Sequence, residues 1–202
     1  MIRFPKIDST YYPFILLLLM GFTAEAISFI CRMGFHARTD VPINIYGLIE
    51  CIILLFQFHT WGFLRHRKRW FYLLLAFFTL TWITENIIFG KIEDFALVFR
   101  VSYCFVVTLL CINQINYMIV QQDGKSLFVN AKFLICISLI IYCVYEIIYD
   151  AAYFIGKNNS AAATKIIDLF NYMNATVNLL FGVAALLIPE KKNDLYFNRH
   201  FE

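Results

Sequence analysis

The chain has 202 residues, of which 61% are hydrophobic, 18% aromatic and only 15% charged. Soluble domains carry charge on about a quarter of their residues, so this composition excludes an ordinary soluble fold and indicates an integral membrane protein. The formal net charge of +3 is modest, and the basic residues gather at the ends of apolar runs, which speaks against a nucleic-acid surface and for topology signals.

Six apolar runs are each close to the roughly 20 residues needed to cross about 30 Å of hydrocarbon. They lie at about 11–32, 43–64, 70–90, 96–119, 133–155 and 167–188. Continuous apolar runs do not fit the alternating strands of a barrel, so the expected fold class is all-α, a single polytopic transmembrane domain followed by a cytoplasmic tail at 189–202.

The first run begins like a secretory signal, with Arg3 and Lys6 before FILLLLM, and it contains an A-x-A-like site at Ala24-Glu25-Ala26. The apolar sequence continues through Ile30, so a retained span is the expectation. Glu25 is the anomaly within it. The segments around Glu25, Glu85 and Glu146 share a Glu-x-Ile element at intervals of 60 and 61 residues, which suggests a repeat of helical hairpins.

The connections carry the topology signal. Placing both termini in the cytoplasm puts Arg3, Lys6, Arg65, Arg67, Lys68, Arg69, Lys125, Lys132, Lys191, Lys192 and Arg199 inside, eleven of the 17 basic residues. Arg32, Arg38, Lys91, Arg100, Lys157 and Lys165 remain for the other side. The bias predicts N-in and C-in with three consecutive hairpins, in a plasma or inner membrane.

Depth then organises the embedded polar residues. On this topology Glu25, Glu85 and Glu146 fall late in outward-running helices, and Glu50, Arg100 and Asp168 fall early in inward-running ones. All therefore occupy the outer half. Asp150 follows Glu146 by one helical turn on the same face. The stripes Glu25-Ser28-Arg32, Thr81-Glu85, Arg100-Tyr103-Val107-Cys111-Gln114, Tyr142-Glu146-Asp150-Tyr153 and Asp168-Asn171-Asn174-Asn178 all recur at helical steps. In a bilayer such faces must point at protein or water.

A charge at a helix centre costs about 2.5–3.5 kcal/mol, so this many carboxylates require neutralisation. Arg100 can offset one or two, with Glu50 as one candidate ion-pair partner. The rest are expected to be protonated, hydrated or bound to a cation. The expected site is a pocket in the outer half, closed beneath by apolar packing and formed by Glu25, Glu50, Glu85, Glu146, Asp150, Arg100, Asn171 and Asn174. Asparagines of this kind also serve as interhelical glue, and His59 reads as a packing residue.

The six cysteines all lie in apolar runs without CxxC or Cys/His spacing, so neither disulfides nor a zinc site is expected. No P-loop, HExxH, GxSxG or CxxCH motif is present, and no cofactor is expected. The leading functional expectation is a protein that binds or transports a cation, proton or small cationic solute. The alternatives are a sensing module acting on a cytoplasmic partner and, last, an intramembrane enzyme that modifies lipids through paired carboxylates. Expected partners are membrane lipids, the solute and either a cytoplasmic protein or a second copy of the chain, with no nucleic acid.

Overall fold

The computed structural model describes residues 7–34, 40–62, 64, 68–90, 92, 96–120, 127–156 and 161–190. Arg3, Lys6, Arg65, Arg67, Lys125 and the tail beyond Glu190 lie outside the described residues, as do Arg38, Lys91 and Lys157. The side chains of Arg32, Tyr153 and Asn171 do too.

The regular elements among the described residues are helical: α1 (Tyr12–Gly34), α2 (Asp40–Thr60), α3 (Lys68–Ile83), α4 (Leu97–Val120), α5 (Ala131–Gly156) and α6 (Ala161–Leu186). A π-helical turn, Thr84–Ile88, extends α3, and Gly90 ends it with a left-handed φ of 65°. All six helices are long and apolar enough to cross a membrane, the spans being Ser9–Cys31, Val41–Thr60, Lys68–Ile88, Leu97–Val120, Ala131–Ala152 and Asp168–Leu186. Each agrees with its expected run to within a few residues.

Helices satisfy their own backbone groups, as an apolar solvent demands. Many hydroxyls on these helices do the same. Thr79, Thr81, Ser102, Thr108, Ser138 and Thr176 each donate to the carbonyl four residues earlier in their own helix. Thr81, expected to share a polar stripe with Glu85, is thereby absorbed by Phe77 O at 2.9 Å.

The helices do not pack evenly. α1 lies against α2, α4 against α5, and α5 against α6, while α2 also meets α3 and α4. Among the described residues α1 and α6 meet through side chains, Phe14 on Phe181 and Glu25 with Asn174. The core consists of one continuous cluster that includes Leu54, Leu55 and Phe58 of α2, Phe99, Tyr103 and Val107 of α4, and Ile135 and Leu139 of α5. The α4 stripe Arg100-Tyr103-Val107-Cys111-Gln114 is buried throughout, so its polarity faces protein, as the spacing required.

Two groups of contacts mark the ends of the bundle. At one end, Gln57 Nε2 donates to Thr10 O at 2.8 Å, Asp8 N–H donates to Pro189 O at 3.3 Å, and Lys132 Nζ lies 6.0 and 5.9 Å from the ring centres of Tyr11 and Trp61. The start of α1, the end of α2, the start of α5 and the end of α6 therefore meet there. At the other end, Asn44 Nδ2 donates to Ile92 O at 3.0 Å and Trp82 Nε1 donates to Asn44 O at 2.9 Å. Tyr145 Oη donates to Ile166 O at 2.8 Å and ties α5 to the start of α6.

Candidate functional site

The centre of the polar arrangement is Arg100, in the first turn of α4. Its guanidinium is ion-paired with Glu146, and its Nε lies 3.3 Å from Asp150 Oδ2. Glu146 and Asp150 are one turn apart on α5, so a single guanidinium reaches both from the neighbouring helix. Arg100, Glu146 and Asp150 are 7%, 4% and 2% exposed. Charges removed this far from solvent persist only when paired, which explains why the acidic pair and the arginine face one another across the α4–α5 contact.

Glu50 of α2 is equally buried but is held differently. Its Oε2 accepts from Tyr103 Oη at 3.0 Å and from Tyr142 Oη at 3.5 Å. Arg100 is thus ion-paired with Glu146 and Asp150, while Glu50 accepts from hydroxyls of α4 and α5. Three helices converge on this layer of side chains.

Glu25 lies on the far side. Its Oε1 accepts from Asn174 Nδ2 of α6 at 3.2 Å, and Asn178 Nδ2 in turn donates to Asn174 Oδ1 at 3.3 Å. These side chains span the separation between α1 and α6.

Between the two groups is a cavity of about 710 Å³. Its lining includes Glu25 and Ser28 of α1, Tyr46 and Glu50 of α2, Arg100 of α4, Tyr142, Glu146 and Tyr149 of α5, and Asn174 and Asn178 of α6. The remaining wall is apolar: Leu17, Leu18, Phe22, Phe29, Ile43, Phe170, Val177 and Phe181 contribute, together with Gly21 and Ala24. Phe181 in this wall stacks edge to face with Phe14 of α1, 5.5 Å between ring centres. A recess of about 30 Å³ leads from the Glu50–Arg100–Glu146 layer toward Asn44 and Phe99, large enough for one water molecule.

Gly21 sets the width of the cavity between α1 and α2. A Cβ at this position would come within 3.2 Å of Tyr46 Oη, so glycine is what lets the tyrosine hydroxyl reach over α1.

Glu85 has another role. Helix α4 starts at Leu97 with Ala96 in the capping position, where Arg100 N–H reaches back to Ala96 O at 3.1 Å. Alanine offers no side-chain acceptor, so the N–H groups of the first turn would be orphaned. Glu85 supplies both acceptors: Val98 N–H donates to Oε1 at 3.0 Å and Phe99 N–H to Oε2 at 2.8 Å. A carboxylate here also complements the positive end of the helix. Glu85 sits on the π-helical turn, where the widened backbone closes through Phe89 N–H to Thr84 O at 3.0 Å.

Of the eight expected site residues, Glu25, Glu50, Arg100, Glu146 and Asn174 line the cavity, and Asp150 stands behind it, paired to Arg100. Glu85 caps α4 and is not among the described lining residues. The side chain of Asn171 lies outside the described residues, and Asp168 is exposed. His59 packs against Phe71, 4.7 Å between ring centres, as expected of a packing histidine. Tyr46 and Tyr149 were not singled out by sequence, since tyrosine is common at membrane interfaces; only their position one turn from an embedded glutamate could have flagged them. Among the described residues, no group of three or more His, Cys, Asp or Glu side chains is placed to hold a metal ion.

No protein-family model, curated protein or solved structure matches this chain.

Proposed function

We propose that the chain is a multi-pass protein of the plasma or inner membrane, with three consecutive hairpins and both ends cytoplasmic, whose acidic cavity binds or moves a small cationic solute. The observation that carries this reading is the charge imbalance around one cavity. Glu25, Glu50 and Glu146 line it and Asp150 backs it, against one guanidinium, that of Arg100, among the described lining residues. A cation from outside would complete the neutralisation that the membrane environment favours.

Size narrows the solute. A volume of about 710 Å³ is in the range of small-molecule pockets and far larger than a bare ion needs. The mixture of tyrosine, phenylalanine and carboxylate in the walls suits an organic ammonium, which such rings attract through their faces. The meeting of the α1 start and the α6 end at one end of the bundle supports placing both termini on one side.

The test is binding of tetramethylammonium, sodium and potassium to the purified full chain in lipid nanodiscs, followed by calorimetry. Saturable binding of tetramethylammonium is expected, weakened tenfold or more in both Glu25→Gln and Glu50→Gln while the thermal unfolding transition is retained. Absence of binding by all three cations, or unchanged affinity in both variants, overturns the reading. Uptake by proteoliposomes then separates transport from sensing, because a sensor binds the cation without moving it.

A further inference from the structure

We infer that the cavity takes a single-chain amphiphile with a cationic head, admitted sideways from the bilayer through the gap between α1 and α6, with the Glu25–Asn174 hydrogen bond as the latch across that gap. This rests on the cationic-solute reading and specifies both the ligand class and its route.

The geometry of the gap comes first. The backbones of α1 and α2, and of α5 and α6, approach closely, whereas among the described residues α1 and α6 meet through side chains, at Phe14–Phe181 and Glu25–Asn174. The cavity follows both of them lengthwise, from Leu17 to Phe29 on α1 and from Phe170 to Phe181 on α6. At a rise of 1.5 Å per residue, that is a slot about 17 Å long, more than half of the hydrocarbon thickness. A slot between two spanning helices opens toward lipid. Phe14 of α1 meets Phe181 of α6 one turn before Leu17, and the side chains of Glu25 and Asn174 cross the slot at 3.2 Å.

The chemistry is graded across the slot. Its lips, Phe22 and Phe29, are exposed aromatic residues, while the charged layer lies deeper on α2, α4 and α5. Glu146 Oε2 is a buried oxygen on the cavity-lining side chain, and it has no hydrogen-bond partner among the described residues. An ammonium head at this depth would meet that oxygen and the carboxylate of Glu50, and an alkyl chain would trail along the aromatic lips.

A second apolar groove of about 630 Å³ runs along the outer face of α1, lined by Tyr12, Ile15, Leu16, Leu18, Leu19 and Phe22. It shares Leu18 and Phe22 with the slot. The chain of a bound amphiphile therefore has a continuous apolar path from the charged layer to the lipid phase. A ligand built only of head group would use none of it.

The experiment uses the full chain in nanodiscs with dodecyltrimethylammonium, dodecyl sulfate and tetramethylammonium as probes, and native mass spectrometry to count adducts. Dodecyl sulfate controls for simple partition into lipid. One adduct of dodecyltrimethylammonium is expected at concentrations at least tenfold below those required for either other probe. Ala24→Trp, which fills the slot, should remove it. In a Cys31→Ser background, Glu25→Cys with Asn174→Cys permits the gap to be bridged by a short bis-maleimide with a reducible disulfide in its spacer, since the separation exceeds the reach of a direct disulfide. The cross-linked form should load dodecyltrimethylammonium at least tenfold more slowly, and reduction should restore the rate.

Equal loading with and without the cross-link overturns the lateral route. Tetramethylammonium binding as tightly as the dodecyl cation overturns the amphiphile while leaving the cationic-solute reading intact. Failure of both cations, or equal binding of dodecyl sulfate, overturns the cationic-solute reading itself.

Discussion

The two sides of the bundle use polar residues in opposite ways. In the α2–α4–α5 half, Arg100 is paired with Glu146 and Asp150, and Glu50 with Tyr103 and Tyr142, and all of these but Tyr142 are buried. In the α1–α6 half, Glu25, Asn174 and Asn178 form a thin chain of hydrogen bonds across an open slot. Half of the α2 span is buried within the bundle but only 11% of the α1 span. Polar groups in the first half are part of what holds the helices together, although Glu50 and Glu146 also face the cavity; those in the second half reach across it.

The largest expected effect tests the first half of that statement. Arg100→Leu leaves two carboxylates buried without their guanidinium, and breaking a buried ionic group by removing one partner costs about 3–5 kcal/mol. Reversible unfolding in mixed micelles should show this loss. Adding Glu146→Gln and Asp150→Asn should recover most of it, because the orphaned charges go with the arginine. If Arg100→Leu unfolds like the parent chain, the α4–α5 contact does not depend on its ion pairs and the contrast between the two halves fails.

Glu85→Ala comes next. It removes the two acceptors at the start of α4, and loss of a helix cap costs about 0.5–2 kcal/mol. Cation binding should be unchanged, since the carboxylate is spent on Val98 and Phe99. A Glu85→Ala chain that keeps its stability and loses its binding would move Glu85 into the cavity and redraw the site.

Glu85 also shows where sequence reasoning stops. The six spans were legible because a bilayer imposes length and apolarity on each helix independently of its neighbours. Glu25, Glu50, Glu146, Arg100 and Asn174 were legible because an embedded polar residue must face protein or water, and helical steps show which residues share a face. Partner choice was not. The three Glu-x-Ile elements look alike along the chain, yet Glu25 meets an asparagine, Glu146 an arginine and Glu85 a helix terminus. Which of these occurs depends on what the tertiary fold brings within 3 Å, and local spacing does not encode it. The one local hint for Glu85 was Ala96 at the head of an apolar helix, a cap position with no acceptor of its own.

A smaller effect is expected at Gly21. Gly21→Ala would press a methyl group on Tyr46 Oη. Overpacking costs about 1–3 kcal/mol where the neighbour cannot move, but a tyrosine hydroxyl facing a cavity can give by a few tenths of an ångström, so the destabilisation should be about 1 kcal/mol or less. Affinity for the cation should fall with it, since the displaced hydroxyl moves into the cavity. Unchanged affinity would mean that the α1–α2 wall does not touch the solute.

The smallest stability effect should come from Glu25→Gln, and it separates the two halves most sharply. Hydrogen bonds between membrane helices contribute about 0.6 kcal/mol on average. The glutamine carbonyl can still accept from Asn174, so thermal unfolding should shift by an amount close to experimental error. Binding should not be spared, because the substitution removes one of the carboxylates that set the charge of the cavity. A residue whose neutralisation leaves the fold untouched and the binding impaired is held in the membrane for its charge. If Glu25→Gln instead destabilises the chain as much as Glu85→Ala, the α1–α6 bridge is a structural tie like those in the packed half, and the slot is closed by design rather than latched.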